Sequence, residues 1–247
     1  VVPQASLPDD VVVVRWLSLD TIGAWDWSDL LGLLDLSERT RAARFHFERD
    51  CHAFVAAHAL TRRMLSVHAR PAGQPPHAWR FVSGPHGKPE IDDASRVPPL
   101  RFNLSHTRGL VAVAVTRRND VGLDVEQVDA SRLGIDLAAT IFTPTETEQI
   151  LRLPPESQAS ASFAIWTLKE AYIKAVGLGL SCPLDAFDVV LDPLSIRFSS
   201  RIVDDPSQWL LKHMSPVAGH ALALAVRHGR PAAVLVDARA TTVAELV

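Results

Sequence analysis

The sequence predicts an α+β protein built from two similar α/β halves, and three observations carry that prediction. The first is an internal echo. Residues 104–115 read LSHTRGLVAVAV and residues 214–226 read MSPVAGHALALAV, so Ser105 matches Ser215 and Gly109 matches Gly219 at an offset of 110 residues. The second is that the same offset carries a helical stretch at 50–69 roughly onto another at 160–176. Each is followed by a strand pair and then by the matched Ser–turn–strand segment. The third is length with composition: 247 residues, 47% hydrophobic and 21% charged, suffice for one large or two small cores and argue against disorder. The predicted halves are 1–118 and 119–247. The site is expected in the cleft between them, because clefts between domains favour ligands.

The elements follow in order. VVVVRWL at 11–17 is a short β-branched run and predicts a buried strand. DWSDLLGLLDLSERTRAARF has helical pattern in two pieces, the second starting near Ser37–Glu38–Arg39. Ala56, Ala57, Leu60, Met64 and Val67 give the 50–69 helix a 3–4 apolar spacing before RPAGQPP breaks the chain. WRFVSGPHGKPEI predicts two short strands around a Gly-containing turn. LRFNLSHTRGLVAVAVTR predicts strand, turn and strand, and VGLDVEQV a further strand. Thr143 and Glu146 in TPTETEQILRL have capping-box spacing ahead of a helix. SASFAIWTLKEAYIKAVG is the next helix, with Gly177 and Gly179 as its C-cap and a tight loop. AFDVVLDPLSIRFSS and WLLKHMSPVAGHALALAVRHG supply more strands, and only a short tail remains.

Bulk properties exclude several function classes. A net charge of -3 argues against non-specific nucleic-acid binding. Cys51 and Cys182 have neither metal-ligand spacing nor the number for a disulfide framework, which points to a reduced, cytoplasmic setting. VVPQASLPDDVVVVRW lacks a basic region followed by a long apolar stretch, so no signal peptide is expected. No apolar run approaches membrane-spanning length.

Several segments combine residues with chemical capacity. Along a strand Asp124 and Glu126 share a face, while Leu123 and Val125 point the other way. Two adjacent carboxylates suit a hard cation such as Mg2+, or else decorate a solvated strand. Glu170 and Lys174 are four apart on one helix face, with Trp166 a turn earlier. Alone they read as a surface ion pair of roughly 0.3–0.5 kcal/mol. FNLSHT sets Asn103, Ser105 and His106 in or just before a turn. Adjacent residues of an extended segment point apart, so Ser105 and His106 are read as ligand contacts or as a capped turn, not as a nucleophilic dyad. GPHGKP offers glycine N–H groups and Lys88 to a phosphate or a flat ring, though it is also a common hairpin tip. Arg41 and Arg44, three apart, can share a helix face and grip one phosphate or simply face water. His46, His52, His58 and His68 lack metal-site spacing.

Together and in this order, these segments resemble one family: the 4'-phosphopantetheinyl transferases of the Sfp type, in their two-lobed monomeric class. GKP at 87–89, FNLSHT at 102–107, GLDVE at 122–126 and WTLKEAYIKAVGLGL at 166–180 meet its patterns. RFHFERD at 44–50 is similar to its N-terminal region, and the resemblance spans roughly residues 37–190. It departs at Phe54, where relatives often carry a small polar residue, and near Glu38, where they often carry Lys.

The resemblance implies transfer of the phosphopantetheine arm of coenzyme A to a serine of an apo carrier protein, with adenosine 3',5'-bisphosphate leaving. It implies Mg2+ held by Asp124, Glu126 and Glu170, with Glu170 also as base and Lys174 stabilising the leaving phosphate. Arg41, Arg44 and His106 become candidates for the 3'-phosphate, and Lys88 for another phosphate contact. The Gly87–Pro89 backbone and Ser105 become candidates for the adenine and ribose pocket. The carriers expected are acyl, peptidyl or aryl, with no nucleic-acid or membrane partner, and IFTPTE at 141–146 is a candidate rim for them. The alternative is a coenzyme A-binding module that has lost catalysis.

Overall fold

The computed structural model describes residues 7–69, 73–92, 99–129, 131 and 141–247. The first six residues of the N-terminal reading and residues 70–72 of the RPAGQPP break lie outside them. The chain divides into two compact units. One comprises the residues up to Asn119 together with Leu235–Val247, and the other is Asp120–Val234.

In the first unit the valine run becomes β1 (Val11–Ser18). It lies inside a four-stranded sheet of order β11–β1–β5–β4, with β4 at Leu100–Thr107, β5 at Leu110–Arg117 and β11 at Leu235–Ala240. β5 runs antiparallel to β1 and places Val115 opposite Val13; β11 runs parallel to β1. Here the structure corrects the expected division, because the tail does not stay with the second half. The free edge of β1 needs partners for its backbone groups, and Leu235–Ala240 supplies them. A short helix, α6 (Val243–Leu246), then buries Val243 and Leu246 in the first core.

The early helical pattern splits into α1 (Asp26–Leu33) and α2 (Leu36–Ala42). α2 starts one residue before the expected step at Ser37, because Asp35 caps it and forms a capping box with Glu38. α3 (Glu48–His68) lays Phe54, Ala57, Leu60 and Met64 into the core. Val67 is only partly buried near its end. α3 also buries a cation completely: Arg62 Nε donates to Glu38 Oε2 at 2.6 Å and Nη2 to Asp35 Oδ2 at 2.7 Å. Its Nη1 donates to the carbonyls of Pro76 and Trp79. One guanidinium therefore ties the capping box of α2 to α3. The hairpin β2 (Phe81–Ser83) and β3 (Pro89–Ile91) follows.

The second unit repeats this plan. Its antiparallel sheet has the order β6–β10–β9, with β6 at Val121–Gln127, β9 at Trp209–Met214 and β10 at His220–Arg227. α4 (Pro144–Leu151) begins on the Thr143–Glu146 capping box that its spacing predicts. α5 (Pro155–Val176) packs on β6 and β10 and ends on Gly177, whose φ of 73° is left-handed. The hairpin β7 (Phe187–Leu191) and β8 (Leu194–Phe198) comes next. Lys169 of α5 is fully buried, with Nζ 2.7 Å from both carboxylate oxygens of Glu146 and 2.8 Å from the Phe187 carbonyl. Both units thus use one device, a buried cation on the long helix gripping the capping-box Glu of the helix before it. Both then continue with a hairpin and two sheet strands. Gly109 and Gly219, matched by the sequence echo, share left-handed φ values of 78° and 72°.

Candidate active site

The site begins with a missing side chain. A Cβ at Gly122 would lie 1.9 Å from the carbonyl oxygen of Ala171 and 2.4 Å from the amide nitrogen of Ala175. Only glycine lets α5 rest its backbone directly on β6. Strand alternation then puts Asp124 and Glu126 on the same face as Gly122, the face that α5 covers. The residues opposite Gly122 and Asp124 on β10 are Ala225 and Ala223, which join the core under α5 and leave the helix room.

Glu170 and Lys174 come to that face from α5. Lys174 Nζ donates to Asp124 Oδ1 at 2.6 Å; the Lys174 side chain is 29% exposed and that of Asp124 only 6%. The helix lysine is therefore a cationic partner of the strand carboxylate. Burial, reinforced by the charge of Asp124, raises the Glu170 carboxyl above its ordinary pKa; Lys174 pulls it back and Glu126 pushes it up again. The four residues named from GLDVE and WTLKE thus share one electrostatic environment within the second unit. They do not form a finished metal cage. Among the described residues, no group of three or more His, Cys, Asp or Glu side chains is arranged to hold a metal ion.

The candidates for coenzyme A contacts all lie in the first unit, on three elements. Arg41 is exposed near the end of α2, its guanidinium 5.0 Å over the ring of Phe54. Arg44 does not share a helix face with it. α2 stops at Ala42, and Arg44 sits in a tighter turn where its N–H donates to the Arg41 carbonyl. Gly87 and Lys88 lie in the turn between β2 and β3, closed by a 2.8 Å bond from Gly84 N–H to the Lys88 carbonyl, and Pro89 opens β3. Asn103, Ser105 and His106 lie in β4, just before the turn at Arg108 and Gly109, because pairing with β5 continues to Thr107. Ser105 is buried and its neighbour His106 exposed. Phe54 is buried against the rings of His58 and Phe45, and Glu38 is committed to Arg62 and His58. In the second unit, Phe142 and Pro144 of the IFTPTE stretch join Thr147, Glu148, Leu151 and Arg152 around an open hollow of about 630 Å³. No helix among the described residues is long and apolar enough to cross a membrane.

Sequence reasoning named Glu170 and Lys174 but passed over Lys169 and the packing role of Gly122. A signal for Gly122 was present: a glycine in phase with the acids of the strand, and two alanines four apart on the helix.

Comparison with known proteins places this arrangement in a class. Residues 120–225 match the 4'-phosphopantetheinyl transferase superfamily, and residues 23–118 match the 4'-phosphopantetheinyl transferase N-terminal family. The chain is 32% identical over 191 residues to 4'-phosphopantetheinyl transferase HetI of Nostoc sp., covering 77% of this chain and 78% of that one. It therefore belongs to the 4'-phosphopantetheinyl transferase superfamily. Within it the chain is similar to the Sfp-like type. It is 27% identical to 4'-phosphopantetheinyl transferase Sfp of Bacillus subtilis over 80% of this chain and 84% of that one. The human L-aminoadipate-semialdehyde dehydrogenase-phosphopantetheinyl transferase matches at 25% identity over 87% of this chain and 74% of its own length.

Proposed function

We propose that this chain moves the 4'-phosphopantetheine arm of coenzyme A onto a serine hydroxyl of an apo carrier protein. The new bond joins the serine oxygen to the phosphorus that carries the pantetheine arm. The bond that breaks links that phosphorus to the 5'-phosphate oxygen of adenosine 3',5'-bisphosphate, which leaves. The observation that carries this reading is the close contact of α5 with β6 at Gly122, which brings Lys174 Nζ to 2.6 Å from Asp124 Oδ1 on the helix that also carries Glu170.

Each residue has a physical task. A serine hydroxyl attacks poorly while it keeps its proton, and a carboxylate beside it can accept that proton. Glu170 is that acceptor. Negative charge grows on the leaving phosphate as its bond lengthens, and Lys174, one helical turn from Glu170, is placed to balance it. The donor chemistry at Asp124, Glu126 and Glu170 fits a hard divalent cation. Their carboxyl oxygens are ligands of the kind such an ion takes, and Glu170 feels the like charges of Asp124 and Glu126, a repulsion that added positive charge relieves. Those three would hold Mg2+, which neutralises pyrophosphate oxygens when bound. Arg41 and His106 would meet the 3'-phosphate, with Lys88 at a second phosphate and Ser105 and the Gly87–Pro89 backbone beside the nucleoside. Carrier proteins would meet the rim at Phe142, Pro144 and the exposed Leu151.

The test is direct. The chain is incubated with coenzyme A, Mg2+ and several unrelated apo carriers, acyl, peptidyl and aryl, and each carrier is weighed by mass spectrometry. A gain of one phosphopantetheine supports transfer. No gain on any carrier, with coenzyme A still bound, would instead identify a binding module.

A further inference from the structure

We infer that Lys169, the neighbour of Glu170, is a positioning residue for the transfer reaction: its buried pair with Glu146 fixes the rotation of α5 and so aims Glu170. The inference rests on the proposed role of Glu170. Three of the four residues from Lys169 to Tyr172 are anchored in three directions. Lys169 is wholly buried and binds both oxygens of Glu146 and the Phe187 carbonyl. Its ammonium also stands 4.5 Å from the centre of the Phe187 ring. Ala171 rests its backbone on Gly122. Tyr172, also buried, donates its hydroxyl hydrogen bond to Asp204 at 3.1 Å, and Trp209 Nε1 donates to the same carboxylate oxygen. Glu170 is the remaining member of the run, on the helix that lies against β6, and its carboxyl feels the charges of Asp124 and Glu126.

The anchor of Lys169 is itself held. Glu146 accepts from the backbone N–H groups of Val189 and Thr143, and Thr143 donates through its hydroxyl to Asp188. One lysine therefore joins α5 to the start of α4 and to β7. Burial pushes the Glu146 carboxyl up and the Lys169 ammonium down, while their attraction opposes both shifts. Such a pair adds little net stability over a well-packed apolar pair, but it imposes direction. Direction matters at this point of the helix. A rotation of roughly 10° moves a group ~5–6 Å from the axis by about 1 Å. A displacement of that size at a reacting centre costs about 10²-fold in rate.

The experiment separates aiming from folding. Lys169→Met alone strands the Glu146 carboxylate and should lower the melting temperature by roughly 10 °C. The double variant Lys169→Met with Glu146→Leu removes both charges and should recover most of that loss. We expect the double variant to keep its KM for coenzyme A while kcat falls at least tenfold. Its crystal structure should show the Glu170 carboxylate moved by about 1 Å from its position in the parent. Full recovery of kcat together with stability would reduce Lys169 to a fold-stabilising residue and overturn the inference, as would an unmoved Glu170. If the parent protein proves unable to transfer, the catalytic reading fails on its own, and the crystallographic position of Glu170 still decides whether Lys169 aims it.

Discussion

Gly122→Ala adds one methyl group, and the geometry says how much that methyl must disturb. The new Cβ would stand 1.9 Å from the Ala171 carbonyl oxygen, whereas an ordinary carbon–oxygen contact is about 3.3 Å or more. β6 and α5 therefore have to part by more than about 1 Å at this point. The obstructing atoms are backbone, so no truncation of Ala171 or Ala175 can relieve the clash. Overpacking of this kind costs about 1–3 kcal/mol. In a chain of this size that is a fall of roughly 2–12 °C in melting temperature. The functional loss should be larger than the stability loss suggests. Lys174 reaches Asp124 across the same contact at 2.6 Å, and a separation of about 1 Å takes that bond out of hydrogen-bonding range. Transfer should fall by about 10²-fold in kcat. The assay is holo-carrier formation followed by mass spectrometry at saturating coenzyme A, with thermal melting in parallel. A Gly122→Ala protein with parental kcat and parental melting temperature would refute the close approach of α5 to β6 and, with it, the assembly of the site.

Three further outcomes follow from the same geometry. Asp124→Asn should keep the fold but cut transfer by about 10²–10³-fold. It should also abolish any rise in melting temperature that Mg2+ gives the parent; an undiminished Mg2+ shift would remove Asp124 from the metal site. Arg41→Ala should raise the KM for coenzyme A by about tenfold, as expected for a lost charge-assisted bond, and leave 3'-dephospho-coenzyme A unaffected. Equal loss for both substrates would show that Arg41 does not meet the 3'-phosphate. Glu38 has a pH signature: burial pushes its carboxyl up, but hydrogen bonds from His58 and Arg62 and their charges hold it below its ordinary value of 4.5. Its stabilisation is present above pH 4.5 and is lost as pH falls through the lower folded value. Glu38→Gln should therefore cost up to about 3 kcal/mol near neutral pH, with the deficit shrinking in acid. A gap in melting temperature that stays constant from pH 7 to pH 3 would contradict this.

Much of the fold was legible because its signals are local. Capping-box spacing located α4, and left-handed glycines marked the end of α5 and the matched turns. The facing acids of β6 followed from strand alternation alone. What escaped depends on distant partners. Lys169 and Glu170 are adjacent charged residues, and nothing in their spacing says which one is buried. That is decided by Glu146, 23 residues away, and Phe187, 18 residues away. β11 was missed because LVDARA has scarcely any buried positions, so it lacks the contrast between faces that reveals a strand. Arg41 and Arg44 were placed on one helix because no Gly or Pro marks the end of α2 at Ala42.

The duplicated plan also explains why the Asp124–Lys174 pair has no counterpart in the first unit. Matching the sheets through Gly109 and Gly219 sets Val115 of β5 against Ala225 of β10, and hence their partners Val13 and Gly122 against each other. Asp124 then corresponds to Arg15, and Glu126 to Leu17. Matching the long helices through their buried cations sets Met64 and His68 against Ala171 and Ala175, and Arg63 and Val67 against Glu170 and Lys174. The first unit thus has a valine where the second has glycine, and larger side chains where the second has alanine. Arg15 spends its charge on Asp237 of β11 at 2.6 Å, so the strand that closes the sheet edge supplies its counter-ion. In the second unit the counter-ion comes from the helix, and that requires the helix to lie close. Close approach and an acidic cluster are therefore one property. A carboxylate as buried as Asp124 needs a cation within reach, and the Gly122 contact brings the Lys174 turn of α5 near enough to provide one. Acids introduced at Arg15 and Leu17 would be covered, with Val67 at the position of Lys174 and so no lysine to meet them, and would destabilise the sheet.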